Sequence, residues 1–157
     1  MYLSPAWVEA VRAALDAGPD EETRAGKLPE YWDFYQSIRA DYQSSWALGV
    51  RNLPAELGGG VRHLLVKWGD DHVVQCRLLD ESEPVDATYV LAADYRDWKA
   101  LHQGYDALRT VMYRKLLLED GNLLEFFKAI YFFVECLAII AKVPTKFPEG
   151  AELPTPA

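Results

Sequence analysis

Hydrophobic positions recur at helical spacing at both ends of the chain and alternate with polar ones in the middle. Ser4-Pro5 is a capping residue followed by proline at the first helical position, and Val8, Val11 and Leu15 fall on one face, which predicts a helix over 5–16. Residues 18–29 are polar and rich in Gly, Pro and Glu, a loop pattern. Tyr31, Trp32, Tyr35 and Ile38 then place a second, aromatic helix over 29–41. From Ser45 the period shortens. Strands are predicted at 45–50, 61–68, 72–79 and 85–92, with Gly69-Asp70-Asp71 turning the second into the third. Short helices follow at 94–104 and 106–112, then a strand at 115–119.

The segment from Leu123 to Lys142 is the most apolar. Asn122 and Glu125 form a capping-box arrangement at its start, and Pro144 closes it. Spaced at about 100° per residue, Leu123, Phe126, Phe127, Ile130, Phe133, Val134, Leu137 and Ala141 make one broad apolar arc. Glu125, Lys128, Glu135 and Lys142 cluster on a narrow wet side, with Phe132 and Ile139 among them. So much apolar surface exceeds what one sheet face requires. The surplus must meet a second layer of protein, another subunit or an apolar ligand.

Most of the predicted strands are joined by turns too short for crossovers. The expected class is therefore α+β, with a mainly antiparallel sheet and helices grouped on one face. Residues 1–147 are expected to form one domain, with helices in 5–42 and a flexible tail at 148–157 that contains three prolines.

A net charge of −8 without a Lys/Arg cluster argues against nucleic acid and against docking on anionic lipid. No stretch reads as a membrane span, and the N-terminus lacks a signal-peptide pattern, which predicts a cytoplasmic protein. Cys76 and Cys136 have no metal spacing and read as small core residues. His63, His72 and His102 are scattered, no serine sits in a nucleophile elbow, and Gly58-Gly59-Gly60 precedes a strand rather than a helix. No catalytic residue, metal or cofactor is expected, and the chain reads as a non-enzyme.

Four stretches in order carry a resemblance. They are Leu64-Leu65-Val66-Lys67-Trp68-Gly69 with its return strand, Asp86 to Tyr95 continuing into Trp98, Leu101 and Gly104, Lys115 to Asn122, and Val143-Pro144-Thr145-Lys146-Phe147. Across Trp46–Phe147 the sequence resembles the sterol carrier protein 2 (SCP2-like) domain family, its bacterial members above all, and Trp7 to Leu15 resembles their opening helix. The resemblance implies a five-stranded, mainly antiparallel sheet with helices on one face enclosing an apolar cavity. It also implies non-catalytic binding or carrying of a sterol, fatty acid or acyl-CoA ester. The expected lining is Phe126, Phe127, Ile130, Phe133, Val134 and Leu137 from the long helix, with Trp98, Leu101, Leu108 and Met112 from the short ones. The alternative is an accessory module without bound lipid. It would meet an enzyme or its own copy as a homodimer, with Phe132, Ile139 and the 31–38 aromatics as anchors.

Overall fold

The computed structural model describes residues 1–148. Five strands form one sheet: β1 (Ser45–Arg51), β2 (Arg62–Gly69), β3 (His72–Leu78), β4 (Tyr89–Asp94) and β5 (Leu117–Asp120). The helices are α1 (Pro5–Ala17), α2 (Glu21–Ala25), α3 (Pro29–Asp41), α4 (Tyr95–His102), α5 (Ala107–Met112), α6 (Leu123–Lys128) and α7 (Ile130–Lys142). The class is α+β, as the alternation predicts. Past Pro148 the expected tail lies outside the described residues.

The strand order is β3-β2-β1-β4-β5, with three antiparallel pairs and one parallel pair, β1 with β4, in the middle. β2 and β3 form a hairpin in which Gly69 pairs with His72, so the loop is Asp70-Asp71 alone. Both aspartates have positive φ, 51° and 67°, the geometry of the tight turn whose twist matches the strands. Residues 79–88 carry the chain from that edge to β4. They pass over the sheet face opposite the helices, where Asp86, Ala87 and Thr88 lie beside Leu65 and Lys67.

Alternation puts Trp46, Leu48 and Val50 of β1 on the helical side, with Val66 and Leu64 of β2 and Tyr89 and Leu91 of β4 in register beside them. α1 opens as its sequence predicts. Ser4 Oγ accepts from Trp7 N at 3.2 Å, and Trp7, Val8, Val11 and Leu15 are buried.

Several boundaries differ from the sequence reading. The expected loop at 18–29 contains α2, capped by Asp20, whose carboxylate accepts from Thr23 N. β4 begins at Tyr89 rather than Val85, and β5 at Leu117 rather than Lys115. The long helix is two helices, broken at Ala129, whose backbone leaves helical geometry (φ −112°, ψ 25°). The wet side of that helix is wet at Glu125, Lys128 and Lys142 but not at its middle. Phe132, Glu135 and Ile139 are all buried, because α3 packs on α7 as a second layer. The Tyr35 and Tyr42 rings lie 5.2 and 4.9 Å from that of Phe132.

Candidate functional site

The ten residues expected to line a cavity are divided by the fold. Trp98, Leu101, Phe126, Phe133, Val134 and Leu137 are buried, and Ile130 is half-buried against the core. Leu108, Met112 and Phe127 are exposed, as are Tyr113, Leu123, Leu124 and Tyr131. Trp32 and Tyr35, expected as interface anchors beside Phe132 and Ile139, are likewise buried within this chain.

Between sheet and helices the space is filled by rings. Trp46 lies edge-on to Phe133 at 4.9 Å and to Trp68 at 5.8 Å, and Phe132 meets Trp68 at 5.2 Å. A gap of about 10 Å³ lies there among residues such as Trp7, Leu48, Trp98 and Ile140, less than a water needs with comfort.

Room exists instead outside that layer, in a groove of about 280 Å³ between α1 and α7. Ala10, Ala14 and Ala17 give α1 a shallow face, and Gly18-Pro19 turns the chain into α2. Across from them stand Glu135, Ala138, Ile139 and Lys142, one face of α7 at helical spacing, then Val143 and Pro144. The floor is apolar because the side chains are small, so the two helices leave space without exposing backbone.

Polar groups also line the groove. Glu135 is buried at 5% exposure, and its Oε1 accepts from Lys27 Nζ at 2.6 Å and from the Tyr31 hydroxyl at 2.8 Å. Burial, and then that bond, push the Tyr31 phenol well above its ordinary range. Lys142 Nζ donates to Thr23 Oγ1 at 2.6 Å and lies 3.7 Å from Asp20 Oδ2. Sequence reasoning counted Glu135 and Lys142 as solvated charges, which holds for Lys142 but not for Glu135. The signal that would have found the groove is the small-residue spacing Ala10, Ala14, Ala17 on the helix that meets α7.

On the other flank of α7, sharing Ala138 and Lys142, is a second recess of about 230 Å³ lined by Leu101, His102, Gly104 and Ala107 among others. The rings of Tyr2, Trp7 and Phe147 surround His102 at 5.8, 5.9 and 5.8 Å. The Thr145 hydroxyl donates to Val143 O and accepts from Trp7 Nε1, so it takes its contact with His102 Nδ1 as an acceptor, which sets the tautomer. His102 Nε2 is left buried without a hydrogen-bond partner. Burial pushes this imidazole down to about 4, opposed only in part by the Ala141 backbone.

The sign follows. The unfolded chain takes up the proton near pH 6.5 and the folded one near 4, so stability present above pH 6.5 is lost as the pH falls through that window. Between pH 7.5 and 5, His102 should remove about 2 kcal/mol. Urea titrations of the wild type and His102→Gln check this. The variant should lose that much less on acidification, and parallel losses would rule out the assignment.

On the opposite sheet face is a depression of about 390 Å³, but Ser45, Lys67, Gln75, Asp86 and Thr88 make it mostly polar. Among the described residues, no group of three or more His, Cys, Asp or Glu could hold a metal, and no helix is long and apolar enough to cross a membrane.

No protein-family model and no curated protein matches this chain. Solved structures do. A crystal structure of sterol carrier protein 2 superposes with a TM-score of 0.70 at 17% identity, covering 92% of this chain and all of the other. The fold is that of sterol carrier protein 2. The solution structure of a conserved hypothetical protein from Thermus thermophilus, put forward as a sterol carrier protein, agrees with a TM-score of 0.66 at 17% identity. It covers 96% of this chain and 94% of its own. The SCP2 fold is thus present from end to end of the match, as the resemblance implies. This chain builds it with many rings between sheet and helices and with open space on both flanks of α7.

Proposed function

We propose that this protein binds an apolar small molecule non-covalently, with the groove between α1 and α7 as the site. The observation that carries the reading is the groove itself: a mostly apolar space of about 280 Å³ with a buried carboxylate in its lining, in an SCP2 fold. That volume is near the lower end of small-molecule sites, which run from roughly 300 to 1,000 Å³. It suits one hydrocarbon body rather than the long nucleotide-bearing arm of an acyl-CoA. Each buried methylene contributes about 0.8 kcal/mol before the costs of association. In this reading Trp98, Leu101, Phe126, Phe133 and Leu137 hold the wall of the fold in place, and the ligand touches the outer face of α7. No catalytic step is part of the proposal.

Mass spectrometry of the purified protein, native and after organic extraction, tests it. The expected result is a stoichiometric adduct of lipid size that extraction removes, and displacement of a neutral apolar dye by the extract. Ala138→Phe, which fills the groove at a half-exposed position, should cut dye binding at least about tenfold with little loss of stability. A clean apo mass together with no dye binding would defeat the reading.

A further inference from the structure

The groove is apolar along its floor, yet one of its walls carries a carboxylate that is 95% withdrawn from water, the complement of its 5% exposure. Both hydrogen bonds to Glu135 fall on the same oxygen, Oε1, from Lys27 and Tyr31. Oε2 carries none among the described residues. Oε2 is not among the fully enclosed polar atoms that lack a partner, so within this otherwise buried residue it stays accessible, and it is an acceptor and nothing else. Because Glu135 lines the groove, whatever occupies the groove is the group in position to meet that oxygen.

We propose that Glu135 reads the head of the ligand: the groove takes an apolar molecule ending in an uncharged hydrogen-bond donor, a hydroxyl, and turns away one ending in a carboxylate. This rests on the groove being the binding site. A hydroxyl donates to Oε2 and brings no charge. A carboxylate head has no proton to give to Oε2 and would bring an unmatched negative charge into a poorly solvated place where Glu135 is already balanced by Lys27.

An ammonium head could donate, but the charges facing the groove are already matched. Glu135 is paired with Lys27, and Asp20 with Lys142. A cation would enter with nothing left to balance it. Of the described residues that line the groove, Lys142 is the cation that could hold an anionic head instead. Its Nζ is already engaged by Thr23, and Asp20 stands 3.7 Å away to repel the newcomer. Glu135 and Lys142 are seven residues apart on α7, about 10 Å along the axis, so the apolar floor lies between the two.

Matched probes decide it. 1-Dodecanol, dodecylamine and sodium dodecanoate would each compete with Nile red on the wild-type protein, on Glu135→Gln and on the groove-filled Ala138→Phe. The expected order has dodecanol displacing the dye at about tenfold lower concentration than either charged probe. In Glu135→Gln, whose amide both donates and accepts, the alcohol–carboxylate gap should shrink to within about threefold. In Ala138→Phe all three should weaken together.

The wild-type ranking alone can overturn the proposal, whether or not the variant folds. Equal displacement by alcohol and carboxylate, or tighter dodecanoate, removes head-group reading while leaving the groove a binding site. Nile red binding that Ala138→Phe does not affect, or no binding of any probe, removes the site and the functional reading with it.

Discussion

Phe132→Ala should lower the unfolding free energy by about 3–5 kcal/mol, and it should do so by hollowing out the centre of the helical layer. The Phe132 ring is 1% exposed and lies within 4.9–6.0 Å of the rings of Tyr35, Tyr42, Trp46 and Trp68. It joins the sheet to α7 and α7 to α3. Four large neighbours of this kind do not collapse into the space one phenyl leaves, so most of the cavity cost remains. Urea denaturation reads the loss as a lower midpoint with an unchanged slope. Benzene should then recover part of the stability of the variant but not of the wild type, since a dry apolar cavity of that size accepts it. A loss below about 1.5 kcal/mol would mean that the interior is not packed by Phe132 as described.

Arg39→Leu should cost a similar amount, about 3–5 kcal/mol, for the opposite reason. The Arg39 side chain lies under the Trp68 ring and is 7% exposed. Its guanidinium donates to Leu15 O at the end of α1, to Asp16 O, and to both Asp71 O and Asp71 Oδ1 in the β2–β3 turn. One planar fork therefore ties α1, α3 and the hairpin together, and leucine would leave several of those carbonyls without a donor.

Arg39→Lys should recover less than half of the loss, because a single ammonium cannot span three elements. Asp71→Asn should cost less than about 1 kcal/mol, since the Asp71 carboxylate is half-exposed. Denaturation midpoints of the three variants check the order. If Asp71→Asn is as damaging as Arg39→Leu, the ion pair rather than the carbonyl contacts holds the junction.

What the sequence made legible is the set of features carried by one element at a time. Ser4-Pro5 starts a helix, Trp46-x-Leu48-x-Val50 alternates into a core, and Asp70-Asp71 turns a hairpin, each for a local reason. What it hid depends on what lies across from an element. The period of α7 places Phe132, Glu135 and Ile139 together on one side, but period cannot say whether that side meets water or another helix. α3 covers it, and Glu135 becomes a buried group with two ties rather than a solvated charge. Arg39 stands in an aromatic helix with no pattern to mark it. The parallel pairing of β1 with β4 joins strands that are not neighbours in sequence, and the break at Ala129 has no glycine or proline to announce it.

The candidate site was the least legible part, because hydrophobicity is the same property in a residue that lines a space and in one that fills it. Phe126, Phe133 and Leu137 read equally well either way, and only the shapes of the neighbouring rings decide. The groove is written in alanines, which carry no strong signal of any kind.

The parallel pair in the middle of the sheet has a consequence for how the chain comes together. The β2–β3 hairpin closes over two residues, whereas Ser45 and Thr88, which bond to each other where β1 and β4 begin, are 43 residues apart. Bringing those ends together costs about 2 kcal/mol more loop-closure entropy than closing the hairpin. The most deeply buried part of the sheet is thus also the part whose assembly gives up the most chain freedom. The local hairpin is the piece of sheet that the chain can form with the least such loss, and the central pair depends on contacts made elsewhere to offset its cost.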